Sequence, residues 1–244
     1  MSDTTASATL RFESVSRRFG RVDALQELEL ACPAGSMTCL IGPNGAGKST
    51  ALALAAGLLS PTAGRVRVEG RDAGPPAVAA SLGYLPQRSA FHPLLTVGEV
   101  VDLVAALRGA DAGARRDALE LSGLEAVVSR PAGELSGGWL RRLGLSSALL
   151  GAPRLLLLDE PFVGLDPQTL DRLLSHIEAR LAAGAAVVVA SHDFEVLDRL
   201  APRTAVLDEG RLQLVAPAGS GGTRGLYRRG SRGSGAAIAE EARC

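Results

Sequence analysis

Three short apolar runs mark the chain. Leu155–Leu158 is four consecutive leucines, Ala186–Ala190 is wholly apolar, and Ser36–Ile41 ends directly at a glycine-rich loop. Runs of this length with no polar alternation read as strands, and the leucine run reads as one buried on both faces. Leu82–Leu85 is a further short strand. Other segments alternate. Leu10–Val15 and Ala24–Leu30 read as strands joined by a turn near Gly20, and Arg65–Glu69 as a half-exposed strand. Lys48–Leu59 reads as a helix broken by Ser60-Pro61, and Asp72–Ala80 as a Pro/Gly/Ala connector.

Between Thr96 and Leu149 the pattern turns helical. Thr96 with Glu99 forms a capping box before the apolar helix Val100–Leu107. Ala114–Leu121 and Trp139–Leu150 follow as two more helices, so a helical lobe spanning about 88–152 is predicted inside an α/β core. The core pattern returns at Arg154. Asp166-Pro167 supplies an N-cap and a proline at the first helical position for a helix running to Ala183, closed by Gly184. Thr204–Leu207 and Arg211–Val215 flank Asp208-Glu209-Gly210 as a terminal hairpin. One domain is therefore expected over residues 9–217. Residues 218–244 are rich in Gly, Ser and Arg, and are expected to be disordered.

Length and composition bound the function. The 244 residues suit one large domain or a domain with an inserted lobe, and 46% hydrophobic content is ample for a core. Basic and acidic residues balance at 26 each, so no overall field points to nucleic acid. Cys32, Cys39 and Cys244 form no paired motif, which indicates a reducing compartment without a disulfide framework or zinc site. Met1–Thr9 is polar and does not read as a signal peptide, and the apolar runs are far too short to span a bilayer. A soluble, cytoplasmic chain is expected, with any membrane role exercised through a partner.

Of the 26 basic residues, 25 are arginine, and Lys48 is the only lysine. It lies in Gly42-Pro43-Asn44-Gly45-Ala46-Gly47-Lys48-Ser49, followed by Thr50, between a predicted strand and a predicted helix. This is a phosphate-binding loop pattern: inward main-chain N–H groups and a helix N-terminus receive phosphate oxygens. Lys48 is expected to bridge the β- and γ-phosphates and Ser49 to ligate Mg²⁺. A compact ammonium suits such a loop better than a wide guanidinium. Asp159, at the end of the leucine strand, is placed to hold Mg²⁺, and Glu160 to polarise an attacking water. Two neighbouring buried carboxylates are costly without a cation. Ser136-Gly137-Gly138 precedes a helix and offers a second anion site.

In combination these segments resemble the ATP-binding subunit of an ABC transporter. Phe19 fits the adenine-stacking position, Gly42–Thr50 the Walker A loop, and Gln87 the Q-loop glutamine, expected near Mg²⁺. Leu135–Trp139 fits the signature, with Trp139 where the family commonly has glutamine. Leu155–Glu160 fits Walker B with its catalytic glutamate, Gly164-Leu165-Asp166 the D-loop, and His192 the switch histidine. The resemblance covers about residues 10–216. It implies a P-loop NTPase cassette with a mainly parallel core sheet, an N-terminal antiparallel β subdomain and the helical lobe. It further implies ATP and Mg²⁺ as cofactors, with Asp166 and the Ser136–Gly138 turn among the nucleotide-binding residues. The expected partners are a second copy, giving a head-to-tail homodimer, and a transmembrane permease that holds the chain at the inner face of the cell membrane. An exporter is favoured over an importer. A soluble ABC ATPase acting on ribosomes or DNA would usually carry two cassettes or a long coiled-coil insertion. A GTPase would need an Asn-Lys-x-Asp segment, which a chain with lysine only at position 48 cannot contain.

Overall fold

The computed structural model describes residues 8–75, 78, 81–200, 202–217, 220 and 222–231. Two sheets organise the core. The first is antiparallel, in the order β2 (Val22–Pro33), β1 (Ala8–Phe19), β4 (Ala63–Val68), β5 (Arg71–Asp72). Its inner face is set by period-2 alternation. Leu10, Phe12, Val15, Leu28, Leu30, Val66 and Val68 are all buried in one cluster, while Arg11 and Glu13 lie only partly covered on the other side.

The second sheet runs in the order β10 (Arg211–Ala216), β9 (Arg203–Asp208), β3 (Met37–Ile41), β8 (Ala186–Ala190), β7 (Leu155–Asp159), β6 (Leu82–Leu85). Its strands are parallel except for β10, which pairs antiparallel at one edge. Strands β3, β7 and β8 are buried at every position, which is why they read as apolar runs. Successive residues feed opposite layers. Leu155, Leu157 and Val188 face the cluster that includes Ala51 and Leu52 of α1 (Lys48–Ala55). Leu156, Leu158 and Val189 face the cluster containing Leu173, Leu174 and Ile177 of α5 (Pro167–Ala182).

Helix α1 ends at Ala55, earlier than the expected Leu59. Gly57 turns the chain with φ 71°, and a Cβ there would stand 2.5 Å from Gly74. The connector packs where another helical turn would have run. Part of that connector, including residues 76–77 and 79–80, lies outside the described residues.

The lobe comprises α2 (Val97–Arg108), α3 (Ala112–Leu121) and α4 (Gly137–Leu149), packed through Val97, Val101, Leu119, Leu124 and Leu143. Thr96 and Glu99 form the reciprocal capping box, at 2.8 and 3.2 Å. Arg108 fixes the lobe to the core. Its guanidinium donates to the carbonyls of Ser147, Ala148 and Leu150 at the end of α4, and to Leu82 of β6. The first three are acceptors that the helix end leaves unsatisfied.

One expectation is corrected. Within the stretch expected to be disordered, Thr223–Ser231 forms helix α7. Leu226 is 3% exposed, Tyr227 meets Phe194 at 5.6 Å between ring centroids, and Asp198 of α6 (Phe194–Leu200) accepts from Thr223 N at 2.7 Å. A composition poor in apolar residues still folds here, because one leucine, one tyrosine and a cap borrowed from α6 suffice against an existing surface. Residues 232–244 lie outside the described residues.

Removing the Arg108 guanidinium strands several buried carbonyls. Arg108→Ala is expected to destabilise the fold by about 2 kcal/mol, seen as a lower urea midpoint. An unchanged midpoint would show that those carbonyls find other partners.

Candidate functional site

Helix α1 begins without a side-chain cap. Its N-cap is Gly47, left-handed at φ 99°, and no acidic residue lies in its first turn. A Cβ at Gly47 would stand 2.4 Å from Ala24 O, so both conformation and space demand glycine. The uncapped N–H groups, with the preceding turn at Gly45 (φ 82°), form a concave donor surface for an anion. Lys48 curls over this loop, its Nζ donating to Gly42 O at 2.7 Å and Pro43 O at 3.0 Å. Burial pulls the ammonium pKa down, and Glu160 and Asp159 oppose that shift.

Across from the loop stands the end of β7. Asp159 is 2% exposed and its Oδ2 has no hydrogen-bond partner among the described residues. Burial pushes its carboxyl pKa up, while a hydrogen bond from Ser49 pulls it down. Glu160 adopts φ 52°, a left-handed conformation unusual for a side-chain-bearing residue. Its N–H donates to Ala190 O at 2.7 Å. Its carboxylate lies 2.8 Å from His192 Nδ1 and accepts from Ser191 Oγ at 3.2 Å. Ends of two adjacent parallel strands thus aim Glu160 and His192 at each other.

A cleft of about 370 Å³ gathers Val22, Asp23, Ala24, residues 44–50, Gln87, Asp159 and Glu160. Two segments expected to bind nucleotide or metal, the phosphate loop and the end of Walker B, therefore share one cavity with Gln87. Phe19 does not line it. It is 43% exposed under the Arg17 guanidinium, 4.4 Å from the ring centroid, and pairs in register with Val22 at the cleft wall.

Two expected nucleotide-binding elements lie elsewhere. Ser136 caps α4 by accepting from Trp139 N at 3.4 Å, outside the cleft of its own chain. Trp139 packs on the lobe core beneath the Arg142 guanidinium, at 5.0 Å. Asp166 is spent within its own subunit. It caps α5 through Thr169 N at 3.0 Å and pairs with Arg142 at 2.6 Å. Hydrogen bonds from Thr169, with help from Arg142, hold its pKa down to about 2. Its carboxylate therefore faces a helix start and an arginine of the same chain. Arg141 was not anticipated from sequence, yet it reaches the carbonyls of Gln87, Asp159 and Glu160.

The donor set suits a hard cation. Asp159 carries an orphaned buried oxygen, and Ser49 and Gln87 line the same cleft. Mg²⁺ keeps water and substrate phosphate among its ligands, so one carboxylate and one hydroxyl from protein are sufficient. No cluster of three His, Cys, Asp or Glu occurs among the described residues.

A phosphate-cradling loop beside a strand-end carboxylate pair, on a mainly parallel sheet, defines a P-loop nucleotide hydrolase. Residues 25–163 match the ABC transporter family. Over 210 residues the chain is 36% identical to the Nod factor export ATP-binding protein I of Burkholderia lata, covering 84% of this chain and 69% of that protein. It is 36% identical over 214 residues to a sulfate/thiosulfate import ATP-binding protein of Chromobacterium violaceum, covering 85% of this chain and 58% of that protein. Among solved structures, an ATP-binding subunit of an ABC transporter superposes with TM-score 0.84 at 26% identity, covering 91% of this chain and 99% of the other. A dimeric ATP-binding cassette in a post-hydrolysis state with ADP and Pi gives TM-score 0.74 at 25% identity, covering 85% and 98%. The chain belongs to the ABC transporter family, as an ATP-binding, ATP-hydrolysing subunit.

Because burial raises the Asp159 pKa, its ionised form costs folding free energy at neutral pH, and the cost grows as pH rises through that folded-state pKa. Asp159→Asn removes this cost. The nucleotide-free variant is expected to melt no lower than wild type at neutral pH, yet to lose the extra thermal stabilisation that Mg²⁺ adds to ATP. A large drop in melting temperature without ligand would contradict this account.

Proposed function

We propose that this chain powers substrate translocation by a separate membrane permease, in the export direction, as a homodimer with two composite ATP sites. The observation that carries the dimer is the pair Gly137 and Gly138. Neither has a positive φ, and a Cβ at Gly137 would meet nothing while one at Gly138 would meet only Ser136 Oγ, at 3.9 Å. Nothing within one chain requires glycine there. A closely approaching phosphate on a second chain does, and Ser136 with the N-terminus of α4 provides the donors for it.

In this reading Lys48 and the loop N–H groups bind the phosphate chain, and Phe19 supports the base at the cleft mouth. Ser49, Asp159 and Gln87 hold Mg²⁺, which when bound neutralises charge on the phosphate oxygens. Glu160 accepts a hydrogen bond from the attacking water and orients it along the line to the γ-phosphorus. His192 holds the Glu160 carboxylate in that direction and faces the same phosphate. Ser136–Gly138 of the second subunit completes the donor shell, so cleavage removes the group both subunits share.

Export is supported by the relatives named for that direction, the Nod factor export ATP-binding proteins, matched at 36% identity over 69% of their length. No helix among the described residues is long and apolar enough to cross a membrane. The loop between Gln87 and α2 exposes Leu94 at 79%, which offers apolar surface to such a chain.

Glu160→Gln keeps the shape and removes the base. Turnover is expected to fall by about 10²–10⁴-fold, with ATP binding retained and a dimer accumulating in size-exclusion chromatography. Turnover near the wild-type rate would remove Glu160 from its assigned role.

A further inference from the structure

Arg141 lies in the second turn of α4, just past the Ser136 cap. Its Nη1 donates to Gln87 O at 3.0 Å. Its Nη2 donates to Asp159 O at 3.0 Å and also to Glu160 O. All three acceptors are main-chain carbonyls, and they belong to the two segments that carry the water-orienting glutamate and the Q-loop glutamine. The side chain is half-buried. Burial lowers its pKa, and the carboxylates of Glu160 and Asp159 oppose the shift. A planar fork with several N–H groups can bridge two segments in this way, whereas an ammonium is a single point charge.

The neighbouring arginine does a parallel job. Arg142 pairs with Asp166 at 2.6 Å. Consecutive residues of α4 therefore hold both ends of the segment from Asp159 to Asp166, Arg141 at its start and Arg142 at its finish. Between them lies Glu160 at φ 52°, a conformation that persists only when its surroundings over-determine it. The other hydrogen bonds described for Glu160 come from Ala190, Ser191 and His192 at the end of β8, and from Val163 N in its own segment, which donates to Glu160 O at 3.4 Å. Arg141 is the contact that comes from the helical lobe.

We propose that Arg141 is a positioning residue that makes the placement of Glu160 and Gln87 depend on the orientation of α4. The same helix presents Ser136–Gly138 at its N-terminus. When a neighbouring subunit's nucleotide engages that turn and shifts α4, Arg141 carries the displacement to the carbonyls beside this subunit's own hydrolytic carboxylate. Each subunit then readies its own site when its signature turn is occupied. This rests on the ATPase reading above and adds a path between the two sites of a dimer.

The test uses the full chain and three substitutions. Arg141→Met keeps the stem and removes the donors. It is expected to lower kcat by between about ten- and a hundredfold, as a misplaced catalytic group does, while KM and the affinity for a fluorescent ADP analogue stay at wild-type values. Combined with Glu160→Gln, it is expected to slow the residual rate no further, because both changes act through one group. Arg141→Lys is expected to stay slow, and it decides the matter by the same kcat and KM split if Arg141→Met does not fold. A raised KM with unchanged kcat, a loss that multiplies in the double variant, or full recovery with lysine would each overturn the proposal. Wild-type kcat in the Arg141 variants, with Glu160→Gln still inactive, would overturn this role alone and leave the ATPase reading standing.

Discussion

A polyphosphate is taken partly out of water in this protein, and its charge has to be met by something other than solvent. Burial of anions is expensive unless donors and cations stand ready. The loop before α1 meets part of this requirement with uncapped N–H groups and with Lys48, held over the loop by two carbonyls. Asp159 adds the opposite sign in a form that invites a cation, since its buried Oδ2 has no protein partner. The parallel sheet serves this arrangement by bringing the ends of β3, β7 and β8 to one edge, where the loop, the carboxylates and His192 converge.

The remaining structure ties that edge to the helical lobe by arginines. Arg108 closes the end of α4 against β6, Arg141 grips the carbonyls around Glu160, and Arg142 holds Asp166. With lysine confined to the phosphate loop, the side-chain bridges described between that edge and the lobe are made by guanidinium groups. A rigid fork that satisfies several carbonyls is well matched to this task, because it fixes direction as well as distance. The lobe is thus attached through oriented contacts, and its tilt bears on catalytic geometry.

Much of this was legible beforehand, for physical reasons that differ by element. Strands β3, β7 and β8 were readable because burial on both faces leaves no polar position in them. Helices α2 and α5 were readable from their caps, Thr96 with Glu99 and Asp166 with Pro167. The phosphate loop was readable because few structures need so many glycines before a lysine. What failed to show depended on contacts distant in sequence. The end of α1 is set by Gly57 against Gly74, which no local stop signal reveals. Helix α7 depends on a cap from Asp198 and on a waiting surface for Leu226. Arg141 acts on carbonyls, and carbonyls carry no residue identity for a pattern to detect. Asp166 was correctly read as a helix cap, while its nucleotide contact came from family resemblance, and its carboxylate is occupied by Thr169 and Arg142.

The central claim is that one nucleotide is gripped by the loop of one chain and the serine–glycine turn of another. Inter-chain crosslinking tests it most directly. In a chain with Cys244→Ser, leaving only the buried Cys32 and Cys39, one population carries Asn44→Cys and the other Glu134→Cys, at an exposed position just before the serine–glycine turn. When the two are mixed with a short bis-maleimide, the account predicts a crosslinked pair of unlike chains that forms with ATP and is lost with ADP. A crosslink that ignores nucleotide, or none at any nucleotide concentration, would contradict it.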